Sequence, residues 1–271
     1  MNIGIAVYRQ MKNIIMKPMG KIIAIGGGEI GRPGRPIETT EIDKEIVRIS
    51  KKARPRLLFL PTASNDSEGY VKTVKKHFGD DLGCRVSALY LIKSPPSYKE
   101  IEERILAADI IYVGGGNTEA MLKIWRKTGT EKALQKAYEK GVVLSGLSAG
   151  AVCWFSHGVS DSKKFTNPNA GFTKITGMGL ISALYCPHYD VEKDRKPALK
   201  KMMKKISGAA VAIDNCCALE IIDDKYRVIS SKPSANAYKA YWSSGKFYEE
   251  LIEKTNRFTS LAELLSQKRK G

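Results

Sequence analysis

The chain has 271 residues, 43% hydrophobic and 8% aromatic, enough to bury a substantial core. No apolar run approaches the roughly 18 residues that span a bilayer, and the first 20 residues lack the apolar stretch and small-residue cleavage site of a secretory signal. A net charge of +17 draws polyanions in general, yet the lysines are scattered along the chain, which argues against a dedicated nucleic-acid site.

Residues 1–20 read as an N-terminal extension, with 1–19 disordered or lying upstream of a later start at Met16 or Met19. From Lys21 onward strands alternate with helices, the signature of a mostly parallel sheet covered on both faces. Strands are expected at Ile22 to Ile25, Arg56 to Leu60, Arg85 to Leu91 and Asp109 to Val113. Helices are expected from Thr40 to Lys51, capped by Thr39 or Thr40, and over 69–78, 98–107, 118–127 and 130–140. The run Gly26-Gly27-Gly28-Glu29-Ile30-Gly31 matches the G-x-G-x-x-G dinucleotide pattern, but Arg32-Pro33-Gly34-Arg35-Pro36 stands where the required helix would begin. Nor does the second strand end in an acid.

The strand Gly141 to Leu144 runs into Gly146-Leu147-Ser148-Ala149-Gly150 and then a helix-like Ala151 to Phe155. A strand that turns at once into a helix through G-x-S-x-G holds its serine in a tight elbow with the hydroxyl exposed. Ser148 is therefore the candidate nucleophile. Residues 156–180 are rich in Gly, Ser, Asn and Lys and read as a long loop over the sheet ends. A strand follows at Leu184 to Pro187. In the basic stretch Lys193 to Lys205, Ala198, Leu199, Met202, Met203 and Ile206 recur at helical spacing, so the lysines form a solvated helix face. Strands at Ala209 to Ile213 and Ala218 to Ile222, antiparallel strands at Tyr226 to Ser231 and Ala237 to Tyr241, and a helix over 260–267 complete the chain. With no linker or repeat, residues 21–271 are expected to form one α/β domain.

A serine hydroxyl needs a base within hydrogen-bond reach and usually a group that orients the base. Of three histidines, His77 lies on an upstream helix and reads as a surface residue. His157 falls at the end of the helix from the elbow, about 13 Å away at about 1.5 Å per residue. His188, projecting from a strand end where sites of open α/β sheets gather, is the expected base. Asp161 gives the order Ser, Asp, His and ranks first as orienting acid, ahead of Asp190 and Asp214. The N–H of Ala149 is one oxyanion donor, and the loop Gly114-Gly115-Gly116-Asn117 supplies a second from Gly115 or Gly116. Five cysteines, Cys84, Cys153, Cys186, Cys216 and Cys217, form no C-x-x-C pair, which argues against a zinc cage or disulfide framework and for a cytoplasmic location.

Three stretches together, Val113 to Thr118, Gly146 to Ala151 and Pro187-His188-Tyr189-Asp190, resemble the peptidase E and cyanophycinase family of serine peptidases. Ile25 to Glu29 and Pro61-Thr62-Ala63 fit as well, so the resemblance covers about residues 21–245. It implies a class I glutamine amidotransferase-like fold: α/β, with a mostly parallel central sheet flanked by helices and antiparallel strands near the C-terminus. It further implies a serine nucleophile, hydrolysis next to acidic residues, and no metal or organic cofactor. By position Ser148 is the nucleophile, His188 the base, and Ala149 with Gly115 or Gly116 the oxyanion hole. Asn117 and Arg195 are the expected substrate contacts, Arg195 as the nearest counterpart of a downstream arginine. The expected partner is a small peptide, with no membrane and no nucleic acid, and with room for a homodimer. An esterase of the α/β-hydrolase type and a catalytically silent amidotransferase-like binding protein are the alternatives.

Overall fold

The computed structural model describes residues 20–191 and 193–267, so the extension expected over 1–20 lies outside the described residues except for Gly20. The strands are β1 (Lys21–Ile25), β2 (Arg56–Leu60), β3 (Arg85–Ala88), β4 (Ile110–Val113), β5 (Val143–Leu147), β6 (Phe155–Ser160) and β7 (Thr173–Thr176), then β8 (Ile181–Cys186), β9 (Ala210–Ile213), β10 (Cys217–Ile222), β11 (Lys225–Ser230), β12 (Ala237–Ser243), β13 (Lys246–Ile252) and β14 (Thr259–Ser260). The α-helices are α1 (Thr40–Ile49), α2 (Glu68–Val74), α3 (Tyr98–Leu106), α4 (Thr118–Thr128), α5 (Thr130–Glu139), α6 (Ala149–Val152), α7 (Arg195–Met203) and α8 (Leu261–Leu265).

Among the described residues the strands form two sheets. The eight-stranded sheet has the order β14-β11-β10-β1-β5-β4-β2-β3. Its β1, β5, β4, β2 and β3 pair in parallel, and β10, β11 and β14 extend it antiparallel. These central strands read as continuous apolar runs because both faces are covered. The six-stranded sheet, β13-β12-β9-β8-β6-β7, has a parallel middle of β6, β8 and β9 and antiparallel flanks. The fold is thus the expected α/β class with antiparallel late strands, built around two sheets where the sequence reading had one.

Packing explains the layers. Ile42 and Ile46 of α1 and Val71 and Val74 of α2 bury one face of the first sheet against Ile23, Phe59 and Tyr112. The other face, with Ile22, Leu58, Ile111 and Leu144, joins Ile101 and Ile105 of α3, Met121 and Trp125 of α4, Leu134 of α5, and Tyr185 and Val211 of the second sheet in one cluster. Leu199 and Met203 of α7 cover the far face of the second sheet over Leu184 and Ala212.

The main departure follows the elbow. The helix there ends at Val152, and the chain becomes a strand at Phe155, while β6, a 3-10 turn over Ser162–Phe165 and β7 occupy much of the expected loop. Polar, glycine-bearing segments such as Phe155 to Ser160 carry little local strand signal. Their pairing comes from β8, more than 20 residues downstream, where His157 lies opposite Leu184. His157 is therefore on a strand, not a helix end. His77 departs too: α2 runs into a widened π-helical segment, Lys75–Asp81, and His77 is 2% exposed with Nε2 at 2.9 Å from Asp43 Oδ2.

Candidate active site

β5 runs through the middle of the eight-stranded sheet between β1 and β4, fully buried, and delivers Ser148 at its C-terminal end. Ser148 takes φ +56° and ψ −110°, a backbone state disfavoured for a residue with a Cβ. The flanking glycines make this turn sterically possible. A Cβ on Gly146 would overlap the Gly150 carbonyl oxygen, and one on Gly150 would overlap the Val113 carbonyl oxygen. The Ser148 N–H donates to the Ile25 carbonyl at 3.0 Å, and its own carbonyl accepts from Ala151 and Val152, both at 2.9 Å, so the elbow is fixed on both sides.

His188 comes from the other sheet. β8 ends at Cys186, and His188 follows with its N–H donating to Gly26 O at 3.1 Å, which ties the two sheets together at the site. His188 Nε2 lies 2.7 Å from Ser148 Oγ, and its Nδ1 lies 2.6 Å from Asn215 Oδ1. If Nε2 accepts the serine proton, Nδ1 carries the ring hydrogen and donates it to the asparagine oxygen, a single consistent tautomer. Asn215 sits in the short connection from β9 to β10, where the chain crosses from one sheet to the other. Its backbone N–H donates to Asp190 Oδ1 at 2.9 Å. Gly27 closes over this pair: a Cβ there would overlap both Asn215 Oδ1 and His188 Nδ1.

The expected acids are placed elsewhere. Asp161 stands between β6 and the 3-10 turn, its carbonyl accepting from Lys164 N at 2.7 Å, and among the described residues its carboxylate makes no hydrogen bond to His188. Asp214 uses Oδ2 to accept from Asn236 N at 2.9 Å. Burial raises its carboxyl above the ordinary carboxylate range, though the Asn236 hydrogen bond pulls the other way. Of the three acids only Asp190 touches the array, through the Asn215 backbone. Sequence reasoning missed Asn215 because it sought an acid, although Asn215 adjoins the Asp214 it considered.

A cleft of roughly 580 Å³ opens over Ser148 and His188, lined also by Glu29, Arg32, Tyr70, Gly115 and Gly116. Gly115 N–H donates to the Tyr70 hydroxyl at 3.4 Å. Gly116, at φ +139°, packs where a Cβ would overlap the Ala63 carbonyl, so only glycine lets the loop pass. The N–H groups of Gly116 and Ala149 meet no protein acceptor among the described residues. The stretch set aside as a dinucleotide decoy opens no helix and forms a wall of this cleft instead. Glu29 grips Arg32 by Oε2, at 2.8 Å from Nε, and by Oε1, at 3.0 Å from the Arg32 N–H. Burial works against the charged carboxylate, but the Arg32 hydrogen bonds and charge prevail and hold Glu29 below its ordinary value.

The two expected substrate contacts do not reach this cleft. Asn117 caps α4, its Oδ1 accepting from Ala120 N at 3.0 Å. Arg195 is 1% exposed, donates to Val159 O at 3.2 Å and stacks over Phe172 at 4.6 Å, inside the wall of the second sheet. Arg32, unremarked as a ligand in the sequence, is the arginine that lines the cleft. No three His, Cys, Asp or Glu side chains gather as metal ligands among the described residues.

A family model described as peptidase family S51 matches residues 22–229. A Bacillus subtilis (strain 168) protein named uncharacterized peptidase YgaJ is 38% identical over 234 residues, covering 85% of this chain and 96% of that one. Peptidase E of Streptomyces coelicolor is 30% identical over 139 residues, covering 51% of this chain and 52% of that one. Among solved structures, a peptidase from an acI-B1 actinobacterium superimposes with a TM-score of 0.67 at 19% identity, over 90% of this chain and 98% of that one. A putative peptidase E protein from Listeria monocytogenes gives 0.58 at 22% identity, over 78% and 98%. These two likenesses are likenesses of fold.

Proposed function

Because the chain belongs to peptidase family S51, we propose that it is a serine-type peptidase that hydrolyses small peptides, dipeptides with an acidic residue among them, through an acyl-enzyme on Ser148. The observation that carries this reading is the contact of Ser148 Oγ with His188 Nε2 at 2.7 Å, continued from Nδ1 to Asn215. His188 takes the serine proton as Oγ attacks the peptide carbonyl, then gives it to the departing amine, and water repeats the cycle on the ester. Asn215 holds the imidazole in the tautomer that makes Nε2 the base, the role a carboxylate fills in other triads. The order Ser, His, Asn along this chain differs from the Ser, acid, His order of α/β-hydrolases, which favours a peptidase over an esterase. The meeting of serine and imidazole favours a working enzyme over a silent binding protein. Arg32, with a side chain 64% exposed, supports an acidic substrate group in the cleft. Five buried free cysteines support a cytoplasmic setting.

The test is a dipeptide screen of Asp-X, Glu-X and β-aspartyl substrates with the Ser148→Ala variant alongside. Turnover by the wild type and none by the variant is expected. Equal turnover by both, or none by the wild type on any peptide, would overturn the reading.

A further inference from the structure

Of the groups expected to receive the substrate oxyanion, the Gly115 N–H is already engaged, in a long hydrogen bond to the Tyr70 hydroxyl. That bond lies beside the nucleophile, since a Cβ built on Gly115 would stand 3.6 Å from Ser148 Cβ. The Tyr70 ring is held from two sides. It packs edge-on against Phe59 with centroids 5.1 Å apart, and it approaches Gly114 so closely that a Cβ there would lie 2.8 Å from Tyr70 Cε1. Tyr70 lines the same cleft as Ser148 and His188. A phenol that accepts one hydrogen bond keeps its own hydrogen for donation, and a peptide N–H bonded to its oxygen polarises it toward that role. Burial pushes the Tyr70 phenol up to about 12, so it stays protonated at any working pH.

We propose that the Tyr70 O–H, rather than the Gly115 N–H, is the donor that reaches the oxyanion from this wall of the cleft, completing a hole with the N–H groups of Ala149 and Gly116. Gly115 then positions the phenol. The inference rests on the serine peptidase reading. As the Ser148 Oγ to carbonyl carbon bond forms, the Ser148 proton passes to His188 Nε2 and the carbonyl π pair moves onto oxygen, where Tyr70 donates a hydrogen bond without giving up its proton. When that pair returns, the C–N bond breaks and the amine leaves with the proton from His188.

Tyr70→Phe keeps the ring and removes the donor. On the substrate turned over in the dipeptide screen, kcat is expected to fall by about 100-fold or more, as for other single oxyanion donors, with KM changed less than about twofold. Affinity for a peptide boronic acid, which forms a tetrahedral adduct on Ser148, should fall in parallel, while a product amino acid binds as to the wild type. A folded Tyr70→Phe enzyme with wild-type kcat and wild-type boronate affinity would overturn the proposal. If that variant does not fold, 3,5-difluorotyrosine at position 70 retains the ring and makes a stronger donor; boronate affinity should rise, and no change would overturn the proposal. Ser148→Ala separates the two readings. An active Ser148→Ala enzyme sinks the serine mechanism, whereas an inactive one beside an unchanged Tyr70→Phe sinks only the role of Tyr70.

Discussion

Ser148 leaves β5 in the middle of the eight-stranded sheet, where the strand is buried throughout and both neighbours run parallel to it. His188 leaves β8 of the six-stranded sheet, and Asn215 lies in the connection that carries the chain from one sheet to the other. The two regions differ in how their geometry is specified. The elbow is set inside the eight-stranded sheet, by Gly146 and Gly150 packing against each other and against the Val113 carbonyl of β4, and by the Ser148 N–H on Ile25 O of β1. His188 and Asn215 are set by one contact across the two sheets, His188 N–H on Gly26 O, and by two at the edge of the six-stranded sheet, Tyr189 N–H on Ile213 O and Asn215 N–H on Asp190. Ser148 thus takes its place from one sheet, whereas its contact with His188 exists only where the two sheets come together.

The sharpest way to probe that difference is Asn215→Ala, which leaves the elbow intact and frees the imidazole to rotate or change tautomer. Its kcat/KM should fall by about 100- to 10,000-fold, approaching the loss of about 10,000-fold seen when a triad's orienting carboxylate is replaced, with Ser148 still labelled slowly by a fluorophosphonate. An effect below about fivefold would mean that the sheet framework alone orients His188. Gly27→Ala comes next. Its methyl has no space beside Asn215 and His188, and a displacement near 1 Å costs about 100-fold in turnover; steady-state kinetics at unchanged thermal stability check this.

A third variant acts on the first sheet away from the site. Glu220 of β10 is fully buried against Arg227, with Glu45 of α1 nearby, and burial above all holds its carboxyl up at about 7. The folded chain therefore binds more protons than the unfolded chain from the ordinary carboxylate range up to about 7. This contribution to stability is present at low pH and is lost as pH rises through 7. Glu45 is shifted down by Arg48 and Arg227 against the opposing effect of burial, so its contribution fades only as pH falls below the carboxylate range. Glu220→Gln should flatten the decline in melting temperature between pH 5.5 and 8 without altering turnover; an undiminished slope would remove Glu220 as its source. The smallest effect belongs to Asp161→Ala, expected to leave kcat/KM within about twofold. A loss above 100-fold would restore Asp161 as the orienting acid.

The strand and helix alternation up to β5 was legible because most of its strands are apolar runs, its helices have apolar residues at helical spacing, and turn residues or caps bound them, such as Ser97 at the start of α3 and Asn117 at the start of α4. The second sheet was less legible. Phe155 to Ser160 and Thr173 to Thr176 have little pattern of their own and become strands only by pairing with each other and with β8. The same non-locality hid the cleft. Arg195, expected to meet substrate as the nearest counterpart of the family's downstream arginine, stacks inward on Phe172, while Arg32, noted only as standing where a dinucleotide-binding helix would begin, lines the cleft and is held there by Glu29.

By itself the sequence determined the elbow and its serine, because the glycines on both sides of Ser148 let the strand turn there, and it singled out His188 as a histidine following a strand. Only the tertiary structure decided what stands behind that histidine and what faces the substrate. Asn215, Tyr70 and Arg32 are brought to Ser148 by strand register and sheet packing, which depend on contacts between residues tens to more than a hundred positions apart.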